Sequence, residues 1–222
     1  MTNLRAITRP GPLRVEVASA IKELIVTGEY KFAQHLIESE LASQLGVSRL
    51  PIREALQILA RDGWIDLKAG YGAYVHTPTA REIDEVFSVR TALESEAAFQ
   101  AAQRVRDSQV DIEELDSLKA ILHTGSHEAT NGVDKEIVDH NATLHSAIIN
   151  LSGNHVLSEM TGVIEGRVRW YFAAIAVKRA PASWEEHGGV VEAILKGDPE
   201  AAKSLMAIHC DRSRRGLLAL PG

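Results

Sequence analysis

Four residues in the second half of this sequence have side chains that together could hold a metal ion. Asn141 and His145 stand four apart in NATLHSAI, so a helix presents them on one face. His187 in EEHGGVVEAI and His209 in AIHC fall on two later segments of helical pattern. Three imidazoles and one oxygen donor could bind a divalent transition metal. By spacing alone, three ligands on three helices is a loose pattern, and separate core or surface histidines are the plainer reading. His123, His127, His140 and His155 read as surface or cap residues. A second constellation lies near the N-terminus, in GVSRLPIREALQIL. There Arg49 and Arg53 stand one helical turn apart at the front of a helix, with Ser48 as its cap and Pro51 in its first turn. Arginines so placed could bond guanine edges or phosphates in a major groove, and Ser48 with the open N–H groups beside it could hold a phosphate. Solvated charges paired with Glu54 or Asp62 are the alternative.

The elements that must position these groups follow from periodicity and cap chemistry. Val17, Ile21, Leu24 and Ile25 repeat at helical spacing before Gly28, which predicts a first helix over about residues 13–27. LIESELASQLG predicts a short second helix ending at Gly46. On the third, Ile52, Ala55, Leu56 and Leu59 share one face while Arg49, Arg53 and Gln57 form a separate stripe. Two alternating runs, Ile65 to Leu67 and Ala73 to Val75, flank a glycine-bearing loop and predict a β-hairpin. Three helices and a hairpin make the layout of a winged helix-turn-helix.

After Pro78 the pattern is helical throughout. Thr79 with Glu82 and Ser183 with Glu186 match capping boxes, and Asp198-Pro199 sets a cap before a helix-starting proline. Helices are predicted near residues 79–104, 110–123, 133–151, 154–178, 184–196 and 199–217, an antiparallel bundle of about six. The chain is therefore expected to be mainly α, with one domain over 1–78 and a second over 79–222.

Composition limits the partners. With 222 residues, 45% hydrophobic and 24% charged, the chain can bury a substantial core. No apolar run suits a membrane span, and MTNLRAITRPGPLRVE lacks the apolar centre of a signal peptide, so the expected location is the cytoplasm with no membrane partner. The single cysteine, Cys210, cannot form an internal disulfide and reads as a small helix residue. The net charge of -6 is unevenly spread: residues 1–78 carry nine lysines or arginines against eight acidic groups, and the remainder fifteen against twenty-two. A polyanion is tolerated only at the N-terminal end.

ESELASQLGVSRLPIREALQILARDGWI followed by GAYV resembles the DNA-binding domain of the GntR family of bacterial transcription regulators, over about residues 10–76. The resemblance implies that Arg49 and Arg53 contact DNA, that Ser48 faces phosphate, and that Gly70 or Gly72 approaches the minor groove. Two positions depart from the family pattern: Phe32-Ala33 replaces a frequent Pro-Gly, and Ser39 a frequent long polar residue. VRTALESEAA, NATLHSAI, EEHGGVVEAI and AIHC are similar to the effector-binding and dimerisation domain of the FadR subfamily, the FCD domain, over about residues 79–217. Many members bind a metal through an aspartate and three histidines, and the matching positions are Asn141, His145, His187 and His209. The neutral amide weakens such a site relative to a carboxylate. Zinc, nickel and manganese are the candidate ions. The implied effector is a small carboxylate secured by an arginine, with Arg90, Arg167 and Arg169 as candidates; pairing with Glu94, Glu96 or Glu165 is their structural alternative.

The implied function is a homodimeric, ligand-responsive regulator, a repressor on this reading, that binds a near-palindromic double-stranded DNA operator. Two alternatives stay open at this point: a metal-dependent enzyme with an attached DNA-binding module, and a regulator whose metal is purely structural. Against the enzyme, Glu186 adjoins His187 in sequence, and helix neighbours point about 100° apart.

Overall fold

A computed structural model describes residues 12–131 and 134–220. Helix α1 (Leu13–Val26) buries Val17, Ile21 and Ile25 along one face. The chain then passes Ala33, whose φ of 61° lies in the left-handed region where an L side chain costs about 1–2 kcal/mol. That is the physical meaning of the frequent glycine at this position in the resembled family. A two-residue strand, β1 (His35–Leu36), precedes α2 (Glu38–Leu45), which ends on Gly46 in the left-handed conformation, its N–H donating to the Ala42 carbonyl.

Helix α3 (Arg49–Arg61) begins after Ser48 and turns Pro51, Ile52, Ala55, Leu56 and Leu59 inward, leaving Arg49, Arg53 and Gln57 exposed. Strands β2 (Ile65–Lys68) and β3 (Gly72–Val75) form the hairpin, with Ile65 opposite Val75 and Lys68 opposite Gly72. The sheet order is β1-β3-β2, all antiparallel. Strand β1 was not expected, because two residues carry no readable alternation.

Contacts divide the chain into a first unit running to Thr77 and a second from Pro78, to which Val26–Gly28 also group. Among the described residues six helices build the second: α4 (Ala80–Arg106), α5 (Ile112–Asn131), α6 (Asp134–Leu151), α7 (His155–Ala173), α8 (Ala176–Leu195) and α9 (Pro199–Leu218). Thr79 opens α4 with both halves of the capping box, its hydroxyl accepting from the Glu82 N–H while Glu82 accepts from the Thr79 N–H. Asp198 caps α9 by accepting from Ala201 N–H at 3.1 Å, with Pro199 as the first helical residue. Helix α4 packs against α6, α7, α8 and α9. Its buried alanines 97, 98, 101 and 102 allow close approach.

One start signal misleads. The expected helix at residue 184 begins instead at Ala176, and Ser183 is fully buried inside α8 rather than capping it. Pro181 lacks the N–H that would bond within the helix, yet the buried stripe Ala176, Ala180, Ser183, Trp184, His187, Val190 and Val191 runs straight through it. Burial of that face outweighs one missing hydrogen bond. Glu186, free of capping duty, is used elsewhere.

Candidate functional site

Four helices of the second unit each place a titratable group inside a largely apolar buried stripe. On α6, Ile137, Val138, Leu144, Ile148 and Ile149 share their face with Asn141 and His145. On α9 the stripe Ala202, Met206, Cys210 and Leu217 includes His209, on α8 it includes His187, and on α4 Phe87, Ala97 and Ala98 flank Arg90 and Glu94. Packing the stripes together therefore brings the polar groups together. The His187 Nε2 atom lies 3.2 Å from Nε2 of His145 and 3.3 Å from Nε2 of His209.

The surroundings orient these rings. A Glu94 oxygen lies 2.8 Å from His145 Nδ1, and a Glu186 oxygen 2.9 Å from His209 Nδ1. A carboxylate on Nδ1 turns Nε2 inward as a lone pair. Burial, then the charge of His209, His145 and Arg90, pushes His187 well below the usual imidazole range. Burial lowers His209 to about 4 despite the opposing pull of Glu186. Burial alone would raise the Glu94 carboxyl, but Arg90 and His145 outweigh it and hold it well below the ordinary carboxylate range. Glu186 is likewise brought to about 2 against burial, by hydrogen bonds from His209, Arg179 and Arg212.

This arrangement fits a metal. Ligand atoms of His145, His187 and His209 all lie within 4.8 Å of one another. A tetrahedral ion with bonds of about 2.0–2.1 Å separates its ligand nitrogens by about 3.3 Å. Asn141 Oδ1 is buried and has no hydrogen-bond partner among the described residues, and neither has His187 Nδ1. A buried acceptor left unsatisfied, Asn141 Oδ1, on the helix that carries His145 is what a site for a cation presents. Cys210 lies beside Glu94, burial raises its thiol far above its usual range, and its sulfur is not among the clustered ligand atoms.

A cavity of about 200 Å³ is lined by Arg90, Asn141, His145, Glu165 and Arg169 among others, so it reaches the histidine cluster at His145. Arg90 is 1% exposed; its Nε donates to Glu94 at 2.9 Å, its Nη2 lies 3.1 Å from His145 Nε2, and its Nη1 is buried without a partner. Arg169 pairs with Asp139. Arg167, on the same helix, does not line the cavity and stands beside Tyr171.

In the first unit, Arg49, Arg53, Gln57, Lys68, Gly70 and Gly72 line one concavity between α3 and the hairpin. Ser48 is exposed and makes no side-chain cap bond, so its hydroxyl stays available to a ligand. Arg53 is held by Glu38 through two bonds of 3.0 and 3.1 Å. Gly72 has a φ of 102°, and a Cβ there would stand 2.7 Å from His35 Nε2. Both units match known families. Residues 13–75 match the bacterial regulatory proteins of the gntR family, and residues 85–212 match the FCD domain. The chain is a GntR-family regulator with an FCD domain.

Similarity extends over the whole GntR/FCD chain. It is 29% identical to the uncharacterised HTH-type transcriptional regulator YdhC of Bacillus subtilis, covering 91% of this chain and 90% of that protein. It is 28% identical to a candidate L-lactate dehydrogenase operon regulatory protein of Escherichia coli, covering 91% and 85%. Escherichia coli McbR/YncC shares the fold, with a TM-score of 0.72 and 22% identity over 94% of this chain and 98% of that one. The Bacillus subtilis relative is named a transcriptional regulator and the Escherichia coli one an operon regulatory protein, and the family matched by residues 13–75 is one of bacterial regulatory proteins. Among the described residues no helix is long and apolar enough to cross a membrane.

Of the residues singled out from the sequence of this regulator, His145, His187 and His209 converge, Arg90, Asn141 and Arg169 line a cavity with His145, and Arg167 stays outside that cavity. His123, His127, His140 and His155 stand on the surface or half-buried. Sequence reasoning left out the partners Glu94 and Glu186 as orienting groups, and it left out Gly125. The Trp184 ring packs over Gly125, where a Cβ would fall 1.8 Å from Cη2, and Trp184 stands edge-on to His187 at 4.9 Å. Gly125→Ala is expected to cost about 1–3 kcal/mol through overpacking, read by urea denaturation with a changed Trp184 emission. A variant as stable as the parent would show that the notch is not tight.

Proposed function

We propose that this GntR/FCD chain is a cytoplasmic homodimeric repressor whose operator affinity is set by a small carboxylate bound beside a divalent transition metal. The observation that carries this reading is the convergence of three imidazole nitrogens, with His145 of that cluster and Arg90, whose Nη1 is buried and unpartnered, lining the same cavity. His145, His187 and His209 would hold the ion, with Asn141 Oδ1 as a neutral fourth donor. When bound, such an ion supplies Lewis-acid coordination of a carboxylate oxygen. Arg90 would secure the other oxygen by a charge-assisted hydrogen bond, while Glu94 and Glu186 keep the rings turned inward. The name of the lactate-related relative agrees with an acid effector.

Dimerisation is supported by α7, where Val156, Met160 and Val163 are 65%, 48% and 78% exposed at i, i+4 and i+7. A two-fold dimer presents its reading face twice, which suits a near-palindrome. Each face would use Arg49 and Arg53 for bases or phosphates, Ser48 for phosphate, and Gly70 and Gly72 for close approach to the minor groove.

The test of effector control is an operator selected from a random duplex library and titrated with protein in the presence of a panel of small carboxylates. At least one acid is expected to weaken binding about tenfold or more, and only with metal present. Operator affinity indifferent to every acid would sink the reading. The same assay checks the reading face. Arg49→Ala or Arg53→Ala is expected to cost about 1–3 kcal/mol if the side chain bonds a base edge, and to reduce the salt slope by about one if it meets phosphate. Unchanged binding by either variant would remove that arginine from the interface.

A further inference from the structure

The cavity beside His145 opens into a wider groove between α5, α6 and α7, and the two share Ala142, Ser146, Asn150, Glu165 and Arg169. Charge changes sign along this path. At the inner end Arg90 and Glu94 balance one another, so a bound cation makes that end positive. The charged lining of the groove is four carboxylates, Glu113, Glu114, Asp139 and Glu165, against one guanidinium, Arg169. That arginine is already engaged by Asp139. Glu165 is the carboxylate common to both chambers, while the ion pair of Arg169 is with Asp139.

A plain anion must cross this negative rim and gains nothing from Glu165. A ligand with a carboxylate at one end and an ammonium at the other meets attraction at both. The inner cavity, about 200 Å³, lies below the about 300–1,000 Å³ usual for drug-sized ligands, so the ligand is compact. Its inner wall is built for an acceptor group: Arg90 Nη1 is buried and unpartnered, on a side chain 1% exposed.

We propose that the effector is a small amino acid, its carboxylate directed to Arg90 and the histidine cluster and its ammonium to Glu165. This rests on the carboxylate-effector reading above and adds the requirement for a cationic group. Once seated, the ammonium pairs with Glu165, and the acid rim selects for zwitterions over simple organic acids of the same size.

The test is calorimetric titration of the full chain loaded with Zn²⁺, using butyrate, 2-aminobutyrate and 4-aminobutyrate, which share one carbon skeleton. At least one of the two amino acids is expected to bind about three- to tenfold tighter than butyrate. In Glu165→Gln that ratio is expected to fall to about one; Glu165 is exposed, so the substitution leaves the core intact. Butyrate binding as tightly as both amino acids overturns this proposal and leaves the carboxylate reading standing. A preference that survives Glu165→Gln overturns the assignment of the ammonium to Glu165. Binding of none of the three removes the carboxylate reading and this proposal with it.

Discussion

Glu94→Ala is expected to destabilise the helical unit by about 3–5 kcal/mol, because it leaves a buried guanidinium without its counter-charge. Arg90 is 1% exposed and Glu94 3%, so neither reaches solvent to compensate. The carboxylate receives the Arg90 Nε–H, accepts from His145 Nδ1 and lies beside Cys210. Its removal thus strands one charge and one imidazole together. Glu94→Gln keeps the volume and one acceptor and should lose less. Urea unfolding of the full chain, followed by far-ultraviolet dichroism through the transition of the helical unit, measures both. A loss of less than about 1 kcal/mol for the alanine variant would mean that Arg90 behaves as an exposed ion pair does.

His187→Ala is expected to abolish metal retention. Its Nε2 is the atom nearest both others, so its removal leaves His145 and His209 without the central donor. Protein purified without chelator should carry about one equivalent of metal per chain, and the variant almost none. A bound ligand at about a thousandfold its dissociation constant contributes about 4 kcal/mol, so chelation should lower the thermal midpoint of the parent markedly and leave the variant unmoved. Comparing the two chelated proteins isolates the cavity that the missing ring leaves behind. A parent that carries no metal and ignores both chelator and added Zn²⁺, Ni²⁺ and Mn²⁺ would sink the metal reading.

What could be read from the sequence was local. The arginine and apolar stripes of α3, the hairpin around Gly70 and Gly72, the Thr79 box and the Asp198-Pro199 start each depend on a few neighbouring residues, and each formed as the pattern indicates. Ser183 and Glu186 had the same local pattern, and tertiary burial of the α8 stripe overrode it. The meeting of His145, His187 and His209 was not legible from spacing, because inter-helix distance is set by how four stripes pack. Only the family resemblance joined them. The pairing of Glu94 with Arg90 is a simple i,i+4 contact and was open to view as the structural alternative for that arginine. The Gly125 notch left no signal at all, since a glycine inside a helical pattern carries no sign of the ring that will cover it.

The clamp of Glu38 on Arg53 bears on how a regulator finds one address in a chromosome. Random duplex offers on the order of 10⁶–10⁹ competing positions, each presenting phosphates but few presenting the right base edge. With Arg53 reading a base as proposed, every encounter first has to replace two charge-assisted bonds to a carboxylate. A lone phosphate returns about what was given up, whereas a guanine edge that takes both donors, among the other contacts of a full site, returns more. The carboxylate therefore weakens the hold on wrong sequence more than on right sequence. It shortens each idle stop and leaves a larger share of the molecules available for the operator.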